Sequence, residues 1–255
     1  MILLDASSAR SFDELFDEAA SVPIEGWDFA FNRGRTEDQS LPWIYQDLAR
    51  PLVAEARRVL DIDTGGGEIF GSLEPPTGSV AVEPHAPNVP IATARLGPLG
   101  VTVIERAGAR LPITDGEFDL VLNRHGYFDA PELCRVLAPG GLLLTQQVAA
   151  QNDLEFNEAL GLPPKVDPAI PNSLHELTEG LRSVGFQIVD AREASIRTRY
   201  LDVGAVIYQL RVVSWQAPGF DPKRHRPQLR RIHDHIVEAG GFEVRSRRFL
   251  VRARK

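Results

Sequence analysis

Three consecutive glycines, Gly65, Gly66 and Gly67, follow the apolar run Val59-Leu-Asp-Ile-Asp63 and precede Glu68. A glycine turn between a strand and a helix lets backbone approach a ligand closely, and helix N-terminal amides favour negative groups such as a carboxylate. The same turn can serve folding alone, because tight turns need positive φ. A second apolar run, Ser79-Val-Ala-Val-Glu83, ends on an acid. A carboxylate at a strand end can accept hydrogen bonds from both hydroxyls of a ribose, or can simply be exposed. A loose dinucleotide fingerprint fits these features as well. Counted from Gly65, however, it needs glycine at Phe70, and glycine comes one residue later at Gly71.

The elements that must position these residues follow from the hydrophobic periodicity. Ser11 to Ala20 places Phe12, Leu15 and Phe16 at helical spacing with acids opposite. Pro51 to Arg58 predicts a helix with proline in its first turn. Short apolar strands are expected at 59–63, 79–83, 101–104, 118–122 and 141–148, with a helix at 131–137 between the last two. Continuous apolar strands alternating with helices predict a parallel sheet covered on both faces. Beyond residue 150 the pattern predicts a helix at 174–184, a strand at 186–190, a β-rich stretch at 194–213, a helix at 223–239 and a final strand within 242–253. A single domain spanning 1–255 is expected, with an N-terminal lid or cap segment at 1–50, a core at 51–150 and substrate-side elements with C-terminal strands at 151–255.

Composition narrows the class. At 255 residues with 43% hydrophobic content the chain can bury a sizeable core. No apolar run approaches the length of a membrane span, and the opening run is too short for a signal peptide, so a soluble cytoplasmic protein is expected. Cys134 is the single cysteine, which excludes an intramolecular disulfide and a cysteine-cluster metal site. The net charge of -7 argues against a surface that tracks nucleic acid throughout. Its distribution is uneven: residues 221–255 carry 11 Lys and Arg against 4 Asp and Glu.

Taken with Leu111-Pro-Ile-Thr-Asp-Gly-Glu-Phe-Asp-Leu-Val121 and Arg135-Val-Leu-Ala-Pro-Gly-Gly-Leu142, the glycine turn and Glu83 resemble the class I S-adenosylmethionine (SAM)-dependent methyltransferase family, over about 59–148 and in a branch known from bacteria. The resemblance implies an α/β fold with a Rossmann-like, seven-stranded, mostly parallel sheet, helices on both faces, an N-terminal helical segment and a late β-rich substrate-side addition. It implies SAM as cofactor, with S-adenosylhomocysteine as product. By resemblance Gly65 and Gly67 contact the methionine part, with Asp61, Gly66 and Pro84 beside the cofactor. Glu83 would hold the ribose, and Ala107, Gly108 and Ala109 would border the adenine. Two positions depart from the family: Asp63, a cofactor-site candidate that can receive the amino group, face the sulfonium or repel the methionine carboxylate, stands where glycine is usual, and Ala107 where an acid often meets the adenine amino group.

The resemblance also places the loop Asn123-Arg-His-Gly-Tyr-Phe128 opposite the methyl group. His125, which titrates near neutrality in its ordinary state, is the candidate general base. Asn123 is the candidate for positioning the acceptor and for lining the cofactor site. Arg124 can clamp an acidic substrate or form a surface ion pair, and Trp43 and Tyr45 can belong to a lid or pack in the core. A small-molecule acceptor is the leading expectation. The alternatives are an RNA methyltransferase using Arg230, Arg231, Arg245, Arg247, Arg248, Arg252 and Arg254, or a non-catalytic interaction protein on the same fold. His233 and His235 diverge on a helix and predict no metal pair.

Overall fold

The computed structural model describes residues 10–24, 29–106, 110–164 and 173–255. In chain order its first elements are α1 (Phe12–Ser21), β1 (Thr36–Asp38), α2 (Tyr45–Glu55), β2 (Val59–Ile62), α3 (Glu68–Ser72) and β3 (Val80–Glu83). Then come α4 (Val89–Leu96), β4 (Thr102–Glu105), β5 (Phe118–Arg124), α5 (Ala130–Val136), β6 (Leu137–Val148) and α6 (Leu154–Leu160). The last are α7 (Leu174–Ser183), β7 (Gln187–Tyr200), α8 (Val203–Val212), α9 (Arg226–Ala239) and β8 (Phe242–Arg254). The chain divides into two compact units, one of residues 1–40, 150–166 and 195–247, the other of 41–149, 167–194 and 248–255.

The second unit holds the sheet that the apolar runs predict. Its strands lie in the order β7-β8-β6-β5-β2-β3-β4, represented for β7 and β8 by residues 187–194 and 248–254. The pairs β2/β3, β2/β5, β3/β4 and β5/β6 are parallel, while β6/β8 is antiparallel. Strand order reverses direction of travel between β2 and β5, the place where open α/β sheets bind ligands at their C-terminal strand ends. Two apolar clusters form the core. One contains Leu60, Phe118, Leu143 and Phe249 with α5 and α7, the other Trp43, Phe70, Leu120 and Leu250 with α2 and α4. Register sets the ends level: Ile62 lies opposite Val82 and Asn123, and Asn123 opposite Thr145.

The first unit packs α1, α8 and α9 through Phe12, Phe16, Val206, Ile207, Leu229 and Ile232. Helix α1 starts with a reciprocal cap, in which Ser11 and Glu14 satisfy each other's backbone amides. Arg226 and Arg230 reach Asp13 at 2.6 and 3.2 Å, and Arg230 lies 3.9 Å above the Phe12 ring. Two basic residues of the C-terminal region thus hold helices together.

Three elements differ from the sequence reading. The predicted β-rich stretch ends at Tyr200, and Val203–Val212 is a helix capped by Asp202, which accepts the Ala205 amide at 2.9 Å. Nearly all of α8 is buried, so its Val-Gly-Ala-Val-Ile-Tyr run shows no amphipathic period and reads like a strand. An eighth strand, β1, pairs antiparallel with Thr198 to Tyr200. Its residues Thr-Glu-Asp carry no apolar signal. Finally, Pro51 sits inside α2, not in its first turn.

Candidate active site

The glycine turn is fixed from both sides. The Thr64 amide donates to the Val82 carbonyl at 3.1 Å, and the Gly67 amide to the Thr64 carbonyl at 3.1 Å. Arg95 of α4 bonds both the Gly66 carbonyl and the Glu68 carboxylate. Gly67 has φ +78 and its missing Cβ would lie 2.9 Å from Leu96, so this glycine lets α4 pack against the turn. Gly65 differs. At φ +63 it has no heavy atom within 4 Å of a Cβ position, which leaves space over its backbone.

Glu83 ends β3 with only 3% exposure. Its Oε2 accepts the Gly65 amide at 2.6 Å, and its Oε1 accepts the His85 amide at 2.8 Å and the Asn88 side chain at 3.5 Å. A carboxylate held by backbone donors keeps a defined direction and retains lone pairs for a ligand.

Two further carboxylates crowd the same strand ends. Asp63 is a non-glycine residue at φ 59, a region that aspartate tolerates better than most. Its Oδ2 accepts the Tyr127 amide at 2.9 Å. Burial, with Glu83 adding repulsion against the Tyr127 hydrogen bond, raises the Asp63 pKa to about 6. Burial raises Asp61 to about 7; the Thr64 hydroxyl opposes this, and Asp63 and Glu83 reinforce it. A carboxyl whose folded pKa lies above its unfolded value binds more protons when folded, so its contribution to stability falls as pH rises from about 4 towards 7. Asp61→Asn is therefore expected to raise the thermal midpoint at pH 8, with the gain disappearing by pH 5. Thermal unfolding at the two pH values tests this; a variant less stable than the parent at pH 8 would contradict it.

On the neighbouring strands, Asn123 is fully buried and its side chain is occupied by protein. Its amide donates to the Ile62 carbonyl at 3.1 Å, and its carbonyl accepts the Thr145 hydroxyl at 2.9 Å and the Gln147 amide at 2.5 Å. Gln147 also reaches the Gly126 carbonyl at 3.1 Å. These bonds tie β2, β5 and β6 to the loop beginning at His125. His125 has φ 62, donates its backbone amide to the Gln146 carbonyl at 2.8 Å, and brings Nε2 to 2.9 Å from the Gln146 side-chain nitrogen. Although exposed, its ring is crowded by protein and faces Arg124 and Arg248, which together push its pKa down to about 3. Such an imidazole is neutral at pH 7 and a weaker base than an ordinary histidine. Trp43 and Tyr45 are buried: Trp43 donates to Gln146 at 2.8 Å, and the Tyr45 hydroxyl lies 3.4 Å from the carbonyls of Asn123 and Leu144.

Residues 60–145 match the methyltransferase domain family. The chain carries a methyltransferase domain. The match implies S-adenosylmethionine as the methyl donor. A candidate methyltransferase from Bacillus halodurans C-125 superposes with a TM-score of 0.58 at 18% identity, over 82% of this chain and 98% of that one. A protein of unknown function from Deinococcus radiodurans R1 gives 0.58 at 18%, over 86% and 90%. The [4+2]-cyclase SpnF gives 0.51 at 20%, over 82% and 81%. At these identities the likeness is one of fold, and one fold hosts several activities. No protein of curated function matches the sequence.

Within the methyltransferase domain a cavity of about 210 Å³ is lined by Ile62, Asp63, Val82, Pro84, Arg106 and Leu111, closed by Tyr127, Phe128 and the start of α5. Asp63 and Pro84 are the sequence-predicted residues that line it. Ala107, Gly108 and Ala109 lie outside the described residues, although Arg106 and Leu111 on either side contribute walls. Tyr127 and Phe128 come from the loop that the resemblance places opposite the methyl group, and Glu132 is an addition that no local motif signals. A larger cavity, about 610 Å³, belongs to the first unit. There Glu155 accepts the Arg245 amide and Glu243 pairs with Arg197, so two of its three acids serve the protein. Among the described residues no cluster of His, Cys, Asp or Glu could hold a metal ion, and no helix is long and apolar enough to cross a membrane.

Proposed function

We propose that this chain transfers the methyl group of S-adenosylmethionine to a small-molecule acceptor, with the donor held at the C-terminal ends of β2 and β3. The observation that carries the reading is the set of three carboxylates, Asp61, Asp63 and Glu83, gathered at the glycine turn. Burying them together is unfavourable, as the raised pKa values of Asp61 and Asp63 record, and a cation between them relieves that cost. SAM brings two cations, a sulfonium and an ammonium.

Bound SAM would supply an electrophilic methyl group for in-line displacement. The protein's part is alignment and exclusion of water. Glu83 would accept the ribose hydroxyls, and Asp61 and Asp63 the ammonium. The open side of Gly65, with Gly66 and Gly67 shaping the turn, would take the methionine backbone. Pro84 and Leu111 offer apolar walls to an adenine ring, which by resemblance Ala107, Gly108 and Ala109 would border. Asn123 acts as a positioning residue that sets the loop, and His125 faces the acceptor. The small-molecule reading is supported over RNA by Arg230 of the basic set, which with its neighbour Arg226 is committed to Asp13 and the α1 aromatics. We place the reaction in the cytoplasm, a reading that rests on the sequence.

Calorimetry tests the cofactor assignment. SAM is expected to bind at pH 8 and to weaken several-fold at pH 5.5, as Asp61 and Asp63 take up protons. S-adenosylhomocysteine carries the same ammonium and should weaken by a similar factor. Absence of binding by either compound at pH 8 would overturn the proposal.

A further inference from the structure

Trp43, Gln146 and His125 form a chain of hydrogen bonds with only one consistent proton arrangement. The indole Nε1 lies 2.8 Å from Gln146 Oε1, and Gln146 Nε2 lies 2.9 Å from His125 Nε2. An indole N–H can only donate. Gln146 must therefore turn its carbonyl to Trp43 and its NH₂ to the histidine. The opposite amide orientation would set N–H against N–H with Trp43 at 8% and Gln146 at 2% exposure, leaving a buried indole donor unsatisfied. Facing an NH₂ donor, His125 Nε2 must accept, and the single proton of a neutral imidazole then sits on Nδ1.

We propose that Trp43 is a positioning residue that, through Gln146, holds His125 as the Nδ1–H imidazole, so that the ring offers the methyl acceptor a hydrogen-bond donor and not a base. Among the described residues none bonds Nδ1, and His125 is exposed. Protonating Nε2 would break the bond to Gln146, which agrees with the depressed pKa. The charged groups facing the ring are Arg124, the last residue of β5, and Arg248 on β8. Arg124 has no acidic partner within salt-bridge distance among the described residues, so the ion pair that its surface position allows is not formed. A donor N–H in positive surroundings fits an acceptor molecule bearing a carboxylate or carbonyl oxygen near the methylated atom. Such an acceptor arrives with its nucleophilic lone pair already available. This consequence for the acceptor rests on the proposed function; the tautomer does not.

The test is ¹⁵N NMR of the full chain labelled at histidine, from pH 5 to 9, without donor or acceptor, with His125 assigned by comparison with His125→Gln. The expected spectrum shows His125 protonated at Nδ1 and bare at Nε2, with no titration in this range. Trp43→Phe frees Gln146 to rotate and should raise the Nε2–H population at least tenfold. Gln146→Glu sets a carboxylate against Nε2 and should bring the titration into the observed range. An Nε2–H ring in the parent protein, a titration in the ordinary histidine range, or an unchanged ring in Trp43→Phe would overturn the proposal. If Trp43→Phe does not fold, Gln146→Met replaces it with the same expected change in tautomer. Because no cofactor is present, failure here is separate from failure of SAM binding, which calorimetry reads by itself.

Discussion

Gly126→Ala is expected to lower the stability of the chain by about 3 kcal/mol, near the upper end of the usual cost of overpacking. A Cβ at this position would overlap the Asp63 side chain, lying 2.5 Å from its Cγ and nearer still to its Cβ and Oδ2. Asp63 cannot swing aside freely. Its backbone is held at φ 59, and its Oδ2 takes the amide of Tyr127, the residue after the glycine. The loop in turn is held by Gln147 at the Gly126 carbonyl. For a chain of this size 3 kcal/mol corresponds to a fall of roughly 6–12 °C in the thermal midpoint. The pair gives its own control. Asp63→Gly removes the obstructing side chain and suits the positive φ, so the double variant should recover much of the loss, and a double-mutant cycle should return a coupling of about 1–3 kcal/mol. Additive effects would show that Gly126 is required for some other reason.

Glu83→Ala should produce the largest loss of cofactor affinity of any single change at the strand ends. Two charge-assisted hydrogen bonds to ribose hydroxyls are worth about 1.5–3 kcal/mol each, so SAM binding is expected to weaken on the order of 100-fold or more. The apo protein should lose stability too, because the Gly65 and His85 amides lose their acceptor at a buried site. Glu83→Gln separates the two effects. It keeps the shape and one carbonyl oxygen but presents an NH₂ where the carboxylate accepted, so affinity should fall with a smaller loss of stability. Calorimetry and thermal unfolding on both variants read this out. Affinity within threefold of the parent in Glu83→Ala would remove Glu83 from the ribose.

The parallel strands, the glycine turn and the acid that ends β3 were legible because each depends on local sequence. An apolar run of four or five residues between turn signals reads as a buried strand wherever it lies. The interactions that give the site its character are not local. Trp43 meets Gln146 across 103 positions, and Asp63 meets Tyr127 across 64. Nothing near Trp43 distinguishes an indole with a partner from one packed in a core, and Gly126 reads as an ordinary loop glycine until Asp63 is seen against it. The same reasoning explains α8, where burial on every side erased the period that marks most helices. His125 was found by residue type, but its protonation depends on a glutamine amide that is oriented by a tryptophan.

The five-residue length of α3 bears on which nucleotides the protein ignores. A long helix behind a glycine turn concentrates positive potential at its N-terminus and draws phosphate groups there. A helix of little more than one turn supplies a small fraction of that field, and here Glu68 occupies its first position with two aspartates and a glutamate close by. A pyrophosphate would therefore meet net repulsion at this turn. On the proposed function, the site would discriminate by charge before shape is tested: adenosine esterified to phosphates would be turned away, and adenosine joined to a cationic amino acid would be admitted.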